Sequence, residues 1–292
     1  MANELERAYD HCQSIARQQA RNFYYAFRTL PSKKRRAIYA TYAYCRACDD
    51  IADDQMPLEE KRRLFAETRK RLEASRNGQR DDPVFLAVAD ASRVFSIPAA
   101  YFDEVIQGVE MDLVQSRYRT WEELRDYCYK VASVVGLICI EIFGYSNPAA
   151  HDYAVDLGLA MQLTNILRDV KEDAERDRIY IPLDDMATFG YSEAELQRGV
   201  VNDSFKRLMA FEADRARGYF ESGKRLIPLL SGESRACPSV LHGLYSAVLD
   251  RIESSGYRVF DGRIGLTTAE KLLITARIWA RSLIPTVPLL GR

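Results

Sequence analysis

No apolar run in this chain is long enough to cross a bilayer. The longest, Val134 to Ile140, is stopped by Glu141, whereas a spanning helix needs ~18 or more apolar residues. An excess of one charge is also missing, since 41 basic residues stand against 42 acidic ones. Balanced charge removes the electrostatic argument for a nucleic-acid partner. An anionic ligand must then be met locally, by a metal or by a few placed basic groups. Six cysteines are scattered without a framework pattern. Cys45 and Cys48 lie close together, but no second pair accompanies them, so they read as two small helix residues. The first residues are polar and lack a signal-peptide core, which makes a reducing cytoplasm the expected setting. His11, His151 and His242 share no metal-ligand spacing. No glycine-rich fingerprint follows a strand, and no alternating pattern runs long enough to build a sheet.

What is present is a helical pattern. Hydrophobic residues make up 47% of the 292 and charged residues 28%, ample material for a core. Prolines punctuate the chain. Helices are expected over Ser32 to Asp53, Pro57 to Ser75, Pro83 to Phe95, Ala99 to Gln115 and Trp121 to Tyr145. Ala149 to Asp177, Asn202 to Ile227, Pro238 to Ser254 and Thr267 to Ile284 follow. Val131 to Phe143 is almost wholly apolar, as befits a helix buried in the middle of a protein. The expectation is one all-α domain over residues 1–292, packed around that helix.

Two stretches carry chemistry. In the first, Asp49 and Asp53 are four apart and stack on one helical face, with Asp50 beside them and Arg46 one turn before. Like charges at this spacing destabilise a helix slightly, and a cation between them removes that cost. Magnesium suits the arrangement, because it takes carboxylate oxygens together with substrate phosphate and water. Alone, the motif is weak: such a pattern arises roughly once by chance in a chain this acidic, and a solvated helix end explains it better.

The second stretch changes the balance. Gln162, Asn165, Asp169 and Asp173 are spaced three, four and four. This aligns two amides and two carboxylates in one stripe, while Leu163, Ile166, Leu167 and Val170 face elsewhere. Burying such a stripe is costly unless solvent or a ligand satisfies it. Two helices each ending in an Asp-x-x-x-Asp pair point to ionisation of a diphosphate. Magnesium neutralises the leaving group. The carbocation left behind needs a dry, aromatic-lined cavity.

These residues resemble the squalene/phytoene synthase family along nearly the whole chain. The likeness runs through Asn22 to Phe27 with Leu30-Pro31, Tyr42 to Asp53, Gly108 to Leu113 and Tyr127 to Gly136. It is most specific from Gln162 to Asp173 with Arg176, Arg178, Tyr180 and Pro182. The resemblance implies a helical isoprenoid synthase fold with a central active-site cavity. It implies that Asp49, Asp53, Asp169 and Asp173 bind Mg²⁺, or Mn²⁺ in its place, with Asn165 as an amide ligand or as a support to the ligands. Arg46 and Arg178 would contact diphosphate, and Tyr127 would stand beside the departing group. Phe23, Val131, Gly136, Leu159 and Gln162 would line the prenyl channel, and Tyr245 is a weaker carry-over. The chain departs from the pattern at Ala20-Arg21-Asn22, where relatives often carry serines, and at Ser133, where they often have glycine.

The implied reaction is the head-to-head condensation of two prenyl diphosphates through a cyclopropylcarbinyl diphosphate. Fifteen-carbon substrates giving presqualene diphosphate or squalene are the first expectation; twenty-carbon substrates giving phytoene are the alternative. NADPH use and oligomeric state are left open. Head-to-tail elongating enzymes usually carry Asp-Asp-x-x-Asp as second motif, and terpene cyclases mix in Asn, Ser or Thr with Glu; neither pattern is found. A non-catalytic assembly factor of the same fold would be expected to lose acidic positions kept here. The apolar, proline-broken Leu283 to Leu290 reads first as a tail packed on the domain, with peripheral contact with the inner membrane face as the alternative.

Overall fold

The computed structural model describes residues 2–282, apart from the side chains at 2, 21, 22, 281 and 282. Within that range there are helices and no strand; two isolated backbone pairings, Arg117 with Ile179 and Tyr145 with Leu230, are the only extended contacts. The all-α expectation therefore holds. Leu283 to Leu290, with the tail contact expected of them, lie outside the described residues, as do the side chains of Arg21 and Asn22.

The chain opens with α1 (Ala2–Gln19) and α2 (Arg21–Phe27). Ala8, Cys12 and Ala16 are buried along one stripe of α1, and their small size lets it lie close against its neighbours, α3 (Ser32–Asp53) and α5 (Pro83–Phe95). Pro31 stands at the N-cap of α3. Between them runs the charged α4 (Leu58–Arg76). At the start of α5 the Asp82 carboxylate accepts from the Val84 N–H at 2.8 Å, satisfying a donor that the first turn leaves free. Next comes α6 (Ala99–Met111).

The expected central helix is interrupted. It runs as α7 (Trp121–Cys128), one π-helical turn over Tyr129–Ser133, and α8 (Val134–Phe143). The extra residue in the π turn re-aims the side chains on either side, and such turns are frequent at functional sites. The next expected helix is also broken, into α9 (Ala150–Arg168) and α10 (Val170–Glu175), with Asp169 between them at φ −100°, ψ 15°. Backbone bonds from Asp169 to Asn165 and from Asp173 to Asp169, both 2.9 Å, carry the helical direction across the break. The acidic stripe therefore survives it. After α11 (Leu183–Thr188) and α12 (Glu193–Gln197), the long α13 (Asp203–Gly223), α14 (Ala236–Ser254) and α15 (Thr268–Ser282) complete the chain.

Two glycines set how closely the inner helices approach. A Cβ on Gly158 of α9 would lie 2.5 Å from the Ser133 Cα, and one on Gly223 of α13 would lie 2.8 Å from Leu157. Ser133 is fully buried at this crossing, and its hydroxyl donates to the Val155 carbonyl at 2.8 Å. The residue that departs from the family pattern thus ties the π turn to α9. It is not among the residues that line the cavity described next.

Candidate active site

A deep cavity opens between α2, α3, the π turn with α8, α9 and α14. Its walls include Phe23, Phe27, Tyr42, Val131, Val135, Gly136, Met161, Leu241 and Tyr245, and Asp49, Gln162 and Asn165 stand among them. Counting its open mouth, the empty space is about 1220 Å³. Aromatic rings crowd one end: the Phe23 centroid is 5.9 Å from Tyr245, 6.4 Å from Tyr42 and 6.0 Å from Phe27. The helices α3 and α9 face each other across this space, and α8 and α14 close its sides. Phe23, Val131, Gly136, Gln162 and Tyr245 therefore all line this cavity.

Leu159 does not. It is fully buried and absent from the cavity wall. The cavity-facing positions of α9 are Ala154, Leu157, Gly158, Met161, Gln162 and Asn165, which follow the helical repeat, and Leu159 points away from that face into the core.

The carboxylates gather at the polar end. Asp49 keeps an exposed edge toward the opening yet is otherwise surrounded by protein. Its pKa is pushed up to about 7, first by burial and then by Asp53, Asp50 and Asp112, while Arg46 opposes the shift. Asp173 is likewise pushed up to about 7, by burial, Asp169 and Asp112, against Arg178 and Arg176. Both motifs thus lie within electrostatic reach of Asp112, and Arg176, which acts on Asp173, lies 3.7 Å from Asp53.

Asp112 sits between the motifs. Its carboxylate accepts the Tyr180 hydroxyl at 2.7 Å and the Tyr127 hydroxyl at 3.0 Å, and its carbonyl accepts from Arg178 at 3.3 Å. Burial raises its pKa, opposed by Tyr180, Arg178 and Tyr127. The segment after α6 makes this assembly. Ile179 N–H donates to the Ser116 carbonyl at 2.9 Å and Leu183 N–H to the Tyr118 carbonyl at 3.0 Å. That pairing stacks Tyr118, Tyr127 and Tyr180, with centroids 5.2–5.7 Å apart. Tyr127 is buried here, beside the carboxylates rather than in the apolar wall.

Asp169 is held by two guanidinium groups. Arg168 Nε donates to it at 2.8 Å, and Arg263 Nε and Nη2 each approach at 3.2 Å. Arg46 is paired with Asp50, and its Nε is buried without a partner. Asn165 donates to Gln162 at 3.2 Å and also meets the Tyr245 hydroxyl.

Among the described residues no three His, Cys, Asp or Glu side chains converge in a preformed metal cage. Magnesium does not require one, since it usually binds through one or two carboxylates and completes its shell with water and phosphate. Asp49 and Asp173, whose pKa values are raised by burial and then by neighbouring carboxylates, mark a cluster that complements a divalent cation. Asp49, Asp53, Asp169, Asp173 and the Asn165 amide fit that role.

Sequence reasoning passed over Asp112, Tyr180, Arg168 and Arg263 as site residues. The first three stand inside segments that resembled the family, so a signal existed. Arg263 follows α14 in an irregular stretch with none. All six cysteines are free, and Cys45 lines the cavity while Cys48 is buried beneath it.

An apolar helical cavity with acidic stripes at its mouth defines an all-α synthase of the prenyltransferase class. Residues 16–270 match the squalene/phytoene synthase family model, and the chain belongs to that family. It is 40% identical over 290 residues to a 15-cis-phytoene synthase of Synechocystis, covering 95% of this chain and 86% of that one. It is 40% identical over 282 residues to a phytoene synthase of Mycobacterium tuberculosis, covering 96% and 93%. A crystal structure of a dehydrosqualene synthase with ligand superposes with a TM-score of 0.87 at 28% identity, covering 96% and 98%. A squalene synthase from Alicyclobacillus acidocaldarius gives 0.82 at 27%, covering 87% and 96%. The protein is accordingly a prenyltransferase of the head-to-head type.

Proposed function

We propose that the chain condenses two molecules of the twenty-carbon geranylgeranyl diphosphate to phytoene. The observation that carries this reading is the 40% identity to phytoene synthases along nearly the whole chain, against 28% to the dehydrosqualene synthase of the same fold. It replaces the first expectation of a fifteen-carbon substrate with its alternative.

Bound Mg²⁺ supplies charge neutralisation for the departing diphosphate. Asp49 and Asp53 on one side, and Asn165, Asp169 and Asp173 on the other, would hold it. Arg46, beside Asp50, and Arg178, on the Asp112 carbonyl, would receive diphosphate oxygens. Tyr127, held by Asp112, offers a hydroxyl at the same end. The first substrate ionises at its allylic carbon, and the double bond of the second attacks that cation. Loss of a proton closes the cyclopropane ring. A second ionisation, rearrangement and proton loss give the hydrocarbon, so two diphosphates and two protons leave and no reductant is consumed. Phe23, Tyr42 and Tyr245, whose side chains line the cavity, would stabilise the cationic species, and the apolar walls exclude water.

Product analysis with fifteen- and twenty-carbon diphosphates, each with and without NADPH, tests the reading. Phytoene should form from the longer substrate without NADPH. Squalene or presqualene diphosphate from the shorter one, with the longer one left unturned, would overturn it.

A further inference from the structure

The cavity has a floor as well as walls. Its lining descends from the carboxylates by helical steps, from Asp49 through Cys45 to Ile38 on α3, and from Asn165 through Gly158 to Ala154 on α9. At the bottom stand Phe143, the last residue of α8, Leu226, and Pro238 in the first turn of α14. Phe143 and Leu226 are both buried.

This floor is fastened by backbone. Leu226 sits in a 3₁₀ turn over Lys224–Leu229 that contains Pro228. The chain after that turn pairs with the chain after Phe143. Ser146 N–H donates to the Leu229 carbonyl at 2.9 Å, and Ser231 N–H donates to the Gly144 carbonyl at 2.8 Å. Gly144, at φ 73°, makes the approach possible, since a Cβ there would lie 2.7 Å from the Ser231 hydroxyl oxygen. The end of α8 leaves the Phe143 carbonyl without a helical partner. It accepts instead from Lys34 Nζ at 2.7 Å and from the Ser234 hydroxyl at 3.0 Å. Lys34 also pairs with Glu233 at 2.7 Å. The layer beneath Phe143 is therefore polar and hydrogen-bonded, and an apolar chain that broke into it would leave those groups unsatisfied.

The depth of the cavity selects among chain lengths. Each of the two descending rows covers eleven residues, about 17 Å at ~1.5 Å per residue. An extended carbon chain advances ~1.25 Å per ~1.5 Å bond, so the sixteen-carbon backbone of a geranylgeranyl chain reaches ~19 Å and the twelve-carbon backbone of a farnesyl chain ~14 Å. The longer chain, slightly bent, fills the depth. The shorter one ends an isoprene unit above Phe143 and Leu226. A chain with one unit more than geranylgeranyl overruns the floor.

We propose that Phe143 and Leu226 determine specificity for prenyl length, as a fixed stop against which the last isoprene unit of a twenty-carbon chain packs. The proposal rests on the twenty-carbon reading given above for its starting length. It does not rest on that reading for its test.

Fifteen-, twenty- and twenty-five-carbon diphosphates are offered to the full chain in one equimolar mixture, and the consumption of each is followed. Consumption ratios do not depend on how much of a variant is folded. One methylene in an apolar pocket discriminates by about 10–200-fold. Leu226→Ala and Phe143→Leu should therefore each raise consumption of the twenty-five-carbon diphosphate, relative to the twenty-carbon one, by about tenfold or more. Leu226→Phe should lower the twenty-carbon diphosphate relative to the fifteen-carbon one by a similar factor. Leu241→Ala widens a wall and leaves the floor in place, so the order of the three lengths should stay that of the unaltered chain. Unchanged ratios in the floor variants, or the same shift in Leu241→Ala, would overturn the proposal. A preference of the unaltered chain for the fifteen-carbon diphosphate would overturn the proposed reaction. The floor is judged separately, by the shift from whichever length the unaltered chain prefers: one isoprene unit up in Leu226→Ala and one down in Leu226→Phe.

Discussion

Arg263 reaches back across 94 residues to grip Asp169, with Nε and Nη2 each 3.2 Å from a carboxylate oxygen. Arg168 holds the same carboxylate from the adjacent position. A cation entering here must displace at least one guanidinium. Arg263 is half-exposed, so the pair is screened and worth on the order of 0.2–1 kcal/mol. Arg263→Gln should therefore tighten Mn²⁺ binding to the substrate-free protein by roughly two- to fivefold. Titration followed by electron paramagnetic resonance reads this. Unchanged or weaker binding would remove Arg263 as a competitor for the site.

The two acidic pairs give a coarser test. Asp49→Ala or Asp173→Ala removes a carboxylate that burial and like charge already hold near a pKa of 7. Folding should be retained, because each substitution relieves repulsion. Loss of an electrostatic stabiliser costs about 10²–10³ in rate. Near-normal turnover with normal helical circular dichroism, or full turnover of the unaltered chain in chelator, would dismiss the metal assignment.

Some of this was legible in the sequence because it is local. Pro31, Pro83 and the 3.6-residue pattern announced α3 and α5, whose observed starts at Ser32 and Pro83 agree with the pattern. The spacing of Gln162, Asn165, Asp169 and Asp173 announced the polar stripe. The rest depends on contacts between distant segments. The tyrosine shell of Asp112 exists because residues 116–118 pair with residues 179–183, and no periodicity encodes that meeting. The π turn, Tyr129–Ser133, has a composition that any α-helix could carry. Helix α1 was missed because its buried stripe is Ala8, Cys12 and Ala16, too small to stand out as an apolar face. Leu159 was misplaced because α9 is apolar on several sides, so sequence alone does not say which side meets the cavity.

Away from the cavity, Glu212 is fully buried in α13 against Asp185 and Arg215. Burial pushes its pKa up to about 8, and Asp185 adds to the shift while Arg215 opposes it. An unfolded glutamate ionises near 4.3. Between these values the native state holds the extra proton, so stability falls as pH rises through the window. Below it the group makes no difference, and above it the cost is constant. Glu212→Gln should flatten the decline in Tm between pH 5 and 8 by a few °C, roughly. An equally steep decline in the variant would show that the proton resides elsewhere in the cluster.

Gly136 offers the sharpest test of the cavity. It lines the space between Val135 and Cys139, and a Cβ added there would lie 3.1 Å from the Ala154 carbonyl. That is tight but less severe than at Gly158, where the clash is with backbone at 2.5 Å. Gly158→Ala should destabilise by ~1–3 kcal/mol through overpacking, and should lower activity toward both substrates alike. Gly136→Leu combines a modest backbone conflict with a side chain that occupies the channel. It should fold and shorten the space open to a prenyl tail. The rate with the twenty-carbon diphosphate should then fall more than the rate with the fifteen-carbon one, whichever the unaltered enzyme prefers. Steady-state turnover with both substrates, alongside thermal unfolding, separates the cases. A loss in equal proportion for the two lengths, accompanied by a lowered Tm, would mean that Gly136 serves the α8–α9 contact and not the channel.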